Sequence, residues 1–261
     1  MTVPPMLQKL ADLAVEAGEE TLRIREGDMD LRHKADESPV TAADEAAEKV
    51  ILAGLAELMP GVPIIAEEEA AAGRIPDISG TFLLVDPLDG TKSYIAGRDD
   101  FTVNIARIEN GEPVTGVVFA PAKRWLLAGD REAGAYQSHD GGPLEPIIDN
   151  PAQNRAKLRA VASLNHRDAE TDAWLAAHGI TDVVAAGSSL KLCLLATGEA
   201  DVYPRFGPTM EWDIAAGHAV LAATGGRVLV AETGEPLRYG KVDTGFLNPA
   251  FIAWAAGISP R

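Results

Sequence analysis

The 261-residue sequence contains a single cysteine, Cys193, and this scarcity excludes two kinds of site. One cysteine can form neither an internal disulfide nor a cysteine-rich zinc site. Cys193 stands in the apolar run 190–195, where a buried thiol is expected. The lack of disulfides fits a reducing compartment, so we expect the protein in the cytoplasm.

Aromatic and basic residues are also few. Only 14 residues are aromatic (6 Phe, 4 Trp, 4 Tyr), which argues against a surface that binds nucleic acid by base stacking. Lys plus Arg number 23 against 39 Asp plus Glu, a formal net charge of −16. Such a chain repels nucleic-acid polymers and anionic membranes at long range. A small anion can still bind where a metal ion or local cations reverse the sign of the charge.

Long apolar runs are missing as well. None approaches the ~20 residues that span a bilayer. The N-terminus, with Asp12 and Glu16 in its first predicted helix, lacks the pattern of a signal peptide. We therefore expect no integral membrane segment, while peripheral attachment at the inner face of the cell membrane stays open. The sequence predicts no particular oligomeric state.

The first half of the chain predicts helices packed on an antiparallel sheet. Two amphipathic helices open the chain. The second starts at Thr41, with Asp44 three residues later, which resembles a capping box. Strands are predicted at 62–66, at 81–86, from Phe101 and, after the hairpin signal Asn110-Gly111, at 114–119.

A Gly-, Pro-, Asp- and Asn-rich stretch between His139 and Asn154 marks a domain boundary. We expect an α+β domain over residues 1–140, with an antiparallel sheet and metal-binding loops, and an α/β domain over 141–261, with substrate-binding loops. In the second half strands and helices alternate, which predicts a parallel sheet. Strands are predicted at 158–162 and 182–186, and helices at 168–178, from Ser189, and from near Trp212 to Gly225-Gly226.

The most informative segment runs from Asp86 to Thr91, at the end of a predicted apolar strand. Pro87 and Gly90 permit a tight loop that folds Asp86 and Asp89 around one point. The Leu88 carbonyl adds a third oxygen of the kind that Mg²⁺ prefers. Taken alone, an Asp-x-x-Asp-Gly loop is more often a solvated turn.

Two further acidic clusters change that interpretation. Glu67-Glu68-Glu69 follows a predicted strand, and adjacent carboxylates repel one another unless they are solvated or bound to cations. Glu211-Trp212-Asp213 opens a predicted helix, where acidic residues are also ordinary. Together, three carboxylate clusters at loop or helix starts fit a shared site for two metal ions.

Other chemistry is disfavoured. The histidines show no metal-type spacing, and His218 is interpreted as a packed residue rather than a ligand. Ser163 and Ser188-Ser189 lack the Gly-x-Ser-x-Gly elbow of a nucleophilic serine, so they fit better as substrate contacts.

The order of these motifs resembles the inositol monophosphatase superfamily of Mg²⁺-dependent, lithium-sensitive phosphomonoesterases over nearly the whole chain. The chain looks most like the bacterial 3'(2'),5'-bisphosphate nucleotidases of sulfur assimilation within it. The resemblance implies a layered αβαβα sandwich of the sugar phosphatase type and hydrolysis of the 3'-phosphate of adenosine 3',5'-bisphosphate to AMP and phosphate. Inositol monophosphatase or fructose-1,6-bisphosphatase activity is the alternative. The motifs that carry the resemblance are 39–44, Glu67-Glu68, 86–92, 187–191, 203–209, 212–218 and 246–249.

The resemblance also implies roles for individual residues. Thr91, oriented by Asp44, would position the attacking water, and Glu68 would assist. The ligands of two or three Mg²⁺ would be Glu67, Asp86, the Leu88 carbonyl, Asp89 and Asp213. The substrate, a small phosphorylated molecule, would contact Gly90, Thr91, Lys92, Ser163, His166, Gly187, Ser188, Lys191, Tyr203, Arg205 and Asp213.

Two positions depart from the nucleotidase pattern. Ser93-Tyr94 stands where these enzymes usually have Glu-Phe, and Glu211 stands where they have an apolar residue. Both are expected beside the site, where they would tune substrate preference. A metal- or nucleotide-sensing module without catalysis is disfavoured, because Thr91 accompanies the full acidic set.

Overall fold

A computed structural model describes residues 2–27, 29–34, 39–148, 157–163 and 167–258. Its helices are α1 (Pro5–Arg25), α2 (Ala42–Leu58), α3 (Glu67–Ala71), α4 (Thr91–Ile95), α5 (Ala169–Ala177), α6 (Leu190–Ala196) and α7 (Glu211–Ala223). Its strands are β1 (Arg32–His33), β2 (Pro39–Val40), β3 (Ile64–Ala66), β4 (Thr81–Asp89), β5 (Thr102–Glu109), β6 (Glu112–Ala120), β7 (Trp125–Asp130), β8 (Gly134–His139), β9 (Glu145–Pro146), β10 (Arg159–Ser163), β11 (Asp182–Ala186), β12 (Val202–Arg205), β13 (Arg227–Val230) and β14 (Phe251–Trp254).

Helices and sheets alternate in five layers. α1 and α2 cover one face of a seven-stranded sheet with the order β3-β4-β5-β6-β7-β8-β9. α6 and α7 lie between its other face and a five-stranded sheet with the order β11-β10-β12-β14-β13. α5 packs on the far face of the second sheet. This is the predicted αβαβα sandwich, so the prediction of the fold class is confirmed.

Strand β4 shows why the first sheet is buried on both faces. Leu83 and Val85 pack in the cluster under α1 and α2, whereas Phe82 and Leu84 pack in the cluster that contains α7. Successive side chains of a strand point to opposite faces. Because both faces are covered by helices, the sequence of β4 is a continuous apolar run rather than an alternating one.

Most predicted elements are present, with several differences. β7 and β8 were not predicted, nor were β12, β13 and β14. β7 is buried on both faces and therefore lacks polar alternation. β4 continues through the predicted loop to Asp89, with an irregularity between Asp86 and Asp89. The prediction of an antiparallel first sheet is wrong for β3, which pairs in parallel with β4. The prediction of a parallel second sheet is wrong for β14. β10 is parallel to β11 and β12, but β14 runs antiparallel to both of its neighbours.

The division into domains at residue 140 stays a prediction. β9 pairs with β8 and so extends the first sheet to Pro146. α7, from the second half, packs across β4, β5, β6 and β7. In the described ranges, no helix is long and apolar enough to cross a membrane.

Two glycines let α7 lie close to the first sheet. A Cβ on Gly116 would lie 2.3 Å from the main-chain oxygen of Ala216, and a Cβ on Gly129 would lie 2.6 Å from the Cα of Val220. Since atoms cannot approach so closely, side chains at these positions would push the helix away. The first turn of α7 carries Glu211 and Asp213, so this contact sets the height of both above the sheet.

Replacing Gly116 by alanine tests this contact. Gly116→Ala should lower the free energy of unfolding by about 1 to 3 kcal/mol, because overpacking forces backbone shifts. Gly27→Ala is the matched control, since its Cβ would meet its nearest atom, the Ile24 oxygen, at an ordinary 3.7 Å. Urea unfolding of the three proteins measures the effect, and equal stability of the two variants would contradict it.

Candidate active site

A cleft of about 870 Å³ opens where loops from both sheets meet. It receives the ends of β3, β4, β11 and β12 and the starts of α3, α4, α6 and α7. Ends of strands and starts of helices from distant parts of the chain therefore converge here. The predicted site residues that line the cleft are Glu67, Asp86, Leu88, Asp89, Gly90, Thr91, Lys92, Ser163, Gly187, Ser188, Lys191, Tyr203, Arg205 and Asp213.

The carboxylates at the cleft repel one another. Burial raises the pKa of Asp86 well above its ordinary value, and the charges of neighbouring carboxylates raise the pKa further. The pKa of Asp213 is raised for the same two reasons. The neighbours responsible are Glu67 and Asp89 in both cases, and Asp86 is also affected by Asp213. A bound cation would relieve this repulsion.

The chemistry of this donor set fits Mg²⁺. The cleft gathers the four carboxylates predicted as metal ligands and the segment that carries the Leu88 carbonyl, and hard oxygens are the ligands that Mg²⁺ takes in proteins. Across the described ranges, no group of three or more His, Cys, Asp or Glu side chains is assembled as a formed metal site. The residues therefore fit the ion by donor type, charge and shared position rather than by a completed coordination shell.

A lysine that was not predicted already neutralises part of this charge. The Lys34 ammonium lies 2.6 Å from Oε1 of Glu67 and 2.7 Å from Oε1 of Glu68. Burial acts to lower the pKa of Lys34, but the two carboxylates raise it above its ordinary value. No spacing in the sequence singled out Lys34, because its partners are more than thirty residues away.

Glu68 does not line the cleft. It lines a second, smaller cavity together with Glu48 and Lys49. Burial raises the pKa of Glu68 to about 7, while its bond to Lys34 acts in the opposite direction. The assisting role expected for Glu68 stays a prediction.

Thr91 and Asp44 are in contact, as the family resemblance implied. The Thr91 hydroxyl lies 3.2 Å from Oδ1 of Asp44 and 3.2 Å from the Leu88 carbonyl oxygen. The other oxygen of Asp44 accepts from the main-chain nitrogen and the hydroxyl of Thr41, at 2.8 and 2.7 Å. Burial raises the pKa of Asp44 to about 6, although the bonds from Thr41 act to lower it. Asp44 therefore caps α2 and holds Thr91 with the same carboxylate.

Gly90 and Gly187 bring the two halves of the cleft together. Gly90 has a φ of 95°, and a Cβ there would lie 2.8 Å from the Asp100 oxygen. A Cβ on Gly187 would lie 2.8 Å from the Cβ of Asp100. The loops that contain Gly90 and Gly187 therefore both pack closely against Asp100. The contact places Ser188 so that its hydroxyl donates to Oδ2 of Asp89 at 2.8 Å.

Lys191 is a buried cation at the wall of the cleft. Its ammonium donates to the main-chain oxygen of Ser188 at 2.5 Å and lies 5.5 Å from the centre of the Tyr203 ring. Burial lowers the pKa of Lys191 to about 8.

Arg205, at the end of β12, is buried as well, and its Nη2 donates to the Pro208 oxygen at 2.9 Å. A Cβ on the intervening Gly207 would lie 3.2 Å from Oδ2 of Asp168 and 3.7 Å from Cζ of Arg205. Asp168, which accepts from the main-chain nitrogen of Thr171 and caps α5, lines the cleft but was not predicted as a site residue. Its neighbour His166 lies outside the described residues.

The two departures from the nucleotidase pattern are both buried. Glu211 accepts from the main-chain nitrogens of Gly240 and Lys241 at 2.7 and 2.9 Å and pairs with the Lys241 ammonium at 2.6 Å. This holds the turn that leads to Phe246, a residue of the cleft wall. Ser93 and Tyr94 are buried behind the cleft, where the Tyr94 hydroxyl donates to the Thr21 oxygen. Any influence of these residues on the substrate is therefore exerted through packing.

His218 is a packed residue, which confirms its interpretation. It is buried on α7, and its Nδ1 lies 2.8 Å from the Tyr239 hydroxyl oxygen. Burial lowers the pKa of His218 to about 3.

This depressed pKa predicts a pH-dependent stability. Below the unfolded pKa of about 6.5 the unfolded chain binds a proton that the folded chain refuses. The stability contributed by neutral His218 is therefore complete above pH 6.5 and is lost as the pH falls toward 3. As the pH falls through this range, the free energy of unfolding of wild type should decrease by up to about 1.4 kcal/mol per pH unit relative to that of His218→Gln. Urea unfolding at pH 7 and 5 measures it; a pH-independent difference would contradict it.

The sequence profile of the inositol monophosphatase family matches residues 4–252. The chain is 43% identical to the 3'(2'),5'-bisphosphate nucleotidase CysQ of Escherichia coli strain K12 over 248 residues, which are 94% of this chain and 98% of that protein.

Solved structures show the same likeness. The crystal structure of CysQ from Bacteroides thetaiotaomicron, a bacterial member of the inositol monophosphatase family, is 40% identical with a TM-score of 0.80. The match covers 95% of this chain and 96% of that one. The Thermotoga maritima IMPase, 24% identical with a TM-score of 0.75 over 94% of this chain and 89% of its own, shares the fold.

Proposed function

The chain belongs to the inositol monophosphatase family, and from this premise we propose that it is a Mg²⁺-dependent 3'(2'),5'-bisphosphate nucleotidase. It removes the 3'-phosphate of adenosine 3',5'-bisphosphate and releases AMP and phosphate, a reaction linked to sulfur assimilation. The observation that carries the proposal is the meeting of four carboxylates, Thr91 and two buried cations at one cleft. The cytoplasmic location expected from the sequence remains part of the proposal.

The acidic residues would hold the metal ions. Glu67, Asp86 and the Leu88 carbonyl would bind one Mg²⁺, and Asp86, Asp89 and Asp213 would bind a second. The resemblance implies two or three ions in each active site. When bound, such ions lower the pKa of an attacking water and stabilise the leaving oxygen.

Thr91 and Asp44 would orient the attacking water. A hydroxyl carries one proton, and Asp44 and the Leu88 carbonyl both lie within 3.2 Å of it. With that proton directed at these acceptors, the lone pairs of the Thr91 oxygen remain to accept a hydrogen bond from water. Asp44 is fixed in turn by Thr41, so the direction of the Thr91 hydroxyl is set before the substrate arrives.

Lys191 and Arg205 would bind the phosphate that does not react. The metal ions need only one phosphate, so a bisphosphate requires further positive charge elsewhere in the cleft. Both cations are buried at its wall, in the second half of the chain. Their bonds to Ser188 and Pro208 hold them in place, which reduces the entropy lost when a phosphate binds.

Inositol monophosphate and fructose 1,6-bisphosphate are the alternative substrates. They would use the same metals and Thr91, and relative rates on the three substrates distinguish them. The two buried cations favour a bisphosphate over inositol monophosphate, and the likeness to CysQ favours the nucleotide over fructose 1,6-bisphosphate. A sensing module without catalysis would bind metal but release no phosphate.

Asp89→Asn tests the metal-dependent reaction. A neutral amide replaces a carboxylate expected to bind metal. Phosphate release with Mg²⁺ should therefore fall by at least about 100-fold, the upper end of the losses seen when only a hydrogen-bond partner of a metal ligand is removed. The fold should be kept, as circular dichroism would show. Asp140→Asn, which removes the same charge from an exposed position, is the control and should keep full activity. Near wild-type turnover by Asp89→Asn would refute the metal assignment.

Lys191→Met and Arg205→Met test the substrate. A charge-assisted hydrogen bond contributes roughly 1.5 to 3 kcal/mol, so each variant should lower kcat/KM for adenosine 3',5'-bisphosphate by roughly 10- to 100-fold. The kcat/KM for adenosine 3'-monophosphate should fall much less, because this substrate lacks the second phosphate. Both substrates are compared at fixed ionic strength. An equal loss on the two would mean that these cations bind the reacting phosphate or support the fold instead.

A further inference from the structure

Ser189 touches both halves of the candidate metal site. Its hydroxyl oxygen lies 2.8 Å from the main-chain oxygen of Asp213 and 3.3 Å from Oδ2 of Asp89. The side chain is only 3% exposed, so water does not compete freely for these acceptors. A hydroxyl has one proton, which Ser189 shares between the two acceptors. One small side chain thus ties the β4 loop to the first turn of α7.

Asp89 receives a second hydroxyl on the same oxygen. The Ser188 hydroxyl donates to Oδ2 of Asp89 at 2.8 Å, and it is itself in hydrogen-bond contact with the Thr102 hydroxyl. Ser188 has a φ of 53°, a left-handed conformation that L residues rarely adopt. The backbone therefore turns sharply at this point, and Ser188 and Ser189 both reach Oδ2. Two donors on one oxygen fix the rotation of the carboxylate and assign its other oxygen, Oδ1, to the cleft.

Carboxylates that bind metal depend on such outer partners. A hydrogen bond to one oxygen sets the direction of the other and holds it there before the ion arrives. Without the bond the carboxylate rotates freely. The entropic cost of ordering it then reduces the free energy of metal binding.

We propose that Ser189 is a positioning residue that orients Asp89 and fixes its distance from Asp213, so that Asp89 offers Oδ1 to Mg²⁺. This inference rests on the proposed metal site. Ser189 touches neither the substrate nor the reacting atoms in this assignment. It acts on metal affinity, through the carboxylate and the main chain of two ligands.

The test measures metal binding without substrate. Mg²⁺ is titrated into metal-free wild type and Ser189→Ala by calorimetry, and the Kd of the variant should be about 10-fold higher, the loss typical of an outer-shell partner. The Mg²⁺ concentration for half-maximal activity should rise by a similar factor, with kcat at saturating Mg²⁺ within about twofold of wild type. A purely structural role would not produce this separation.

Ser138→Ala is the matched control. Ser138 is also a buried serine, 5% exposed, whose hydroxyl donates to a main-chain oxygen, that of Gly142, at 2.6 Å. It does not line the cleft, so its loss should leave the Mg²⁺ Kd unchanged while costing similar thermal stability in the metal-free protein.

Two outcomes overturn the inference. One is a Kd for Ser189→Ala equal to that of wild type. The other is an equal rise in both variants, which would reflect general loosening of the fold. Failure of the proposed function looks different: wild type would neither bind Mg²⁺ nor release phosphate, whatever residue stands at position 189.

Discussion

Repulsion among carboxylates in one cleft is the constraint on which the rest of this structure depends. Burial and the charges of Glu67 and Asp89 raise the pKa values of Asp86 and Asp213. The acidic residues therefore repel one another and do not stabilise their own arrangement. The scaffold must do so. Each carboxylate lies at or within three residues of the beginning or end of a helix or strand, and the helices α1, α2 and α7 pack on both faces of the first sheet. Packing of apolar surface thus offsets the electrostatic cost of the site.

The approach of α7 to the sheet shows how close that coupling is. Gly116 and Gly129 remove side chains so that the helix can lie against the strands, and its first turn then delivers Asp213 to the cleft. Glu211, two residues earlier, faces away from the metal residues and fastens the turn at Gly240 and Lys241. The first turn of α7 therefore places one carboxylate, Asp213, in the cleft. The other, Glu211, anchors the helix to the neighbouring turn.

Local patterns predicted the parts of the site that a short segment encodes. The Asp86–Thr91 loop, the cap at Thr41 and the start of α7 all stand in the sequence as spacings or caps. Lys34 and Asp168 were missed, and Ser189 was interpreted as a substrate contact, because their contacts are with partners far along the chain. The direction of β14 was beyond local pattern for the same reason, since a strand's sequence does not state which neighbour it will pair with. Asp44 lies between these cases: its cap was predictable from spacing, whereas its contact with Thr91 came only through the family resemblance.

The sign of the charge differs between the molecule and its cleft. A net charge of −16 keeps large polyanions at a distance, yet Lys34, Lys191 and Arg205 place buried or half-buried positive charge around the acidic residues. Long-range repulsion is screened within about 8 to 10 Å at physiological ionic strength, so a small anion feels chiefly the groups inside the cleft. Metal ions bound to the carboxylates would complete the reversal of sign there. Selection of a small phosphorylated substrate over a polymer then needs no dedicated gate, because the surface field opposes the polymer along its whole length while the cleft attracts a single molecule.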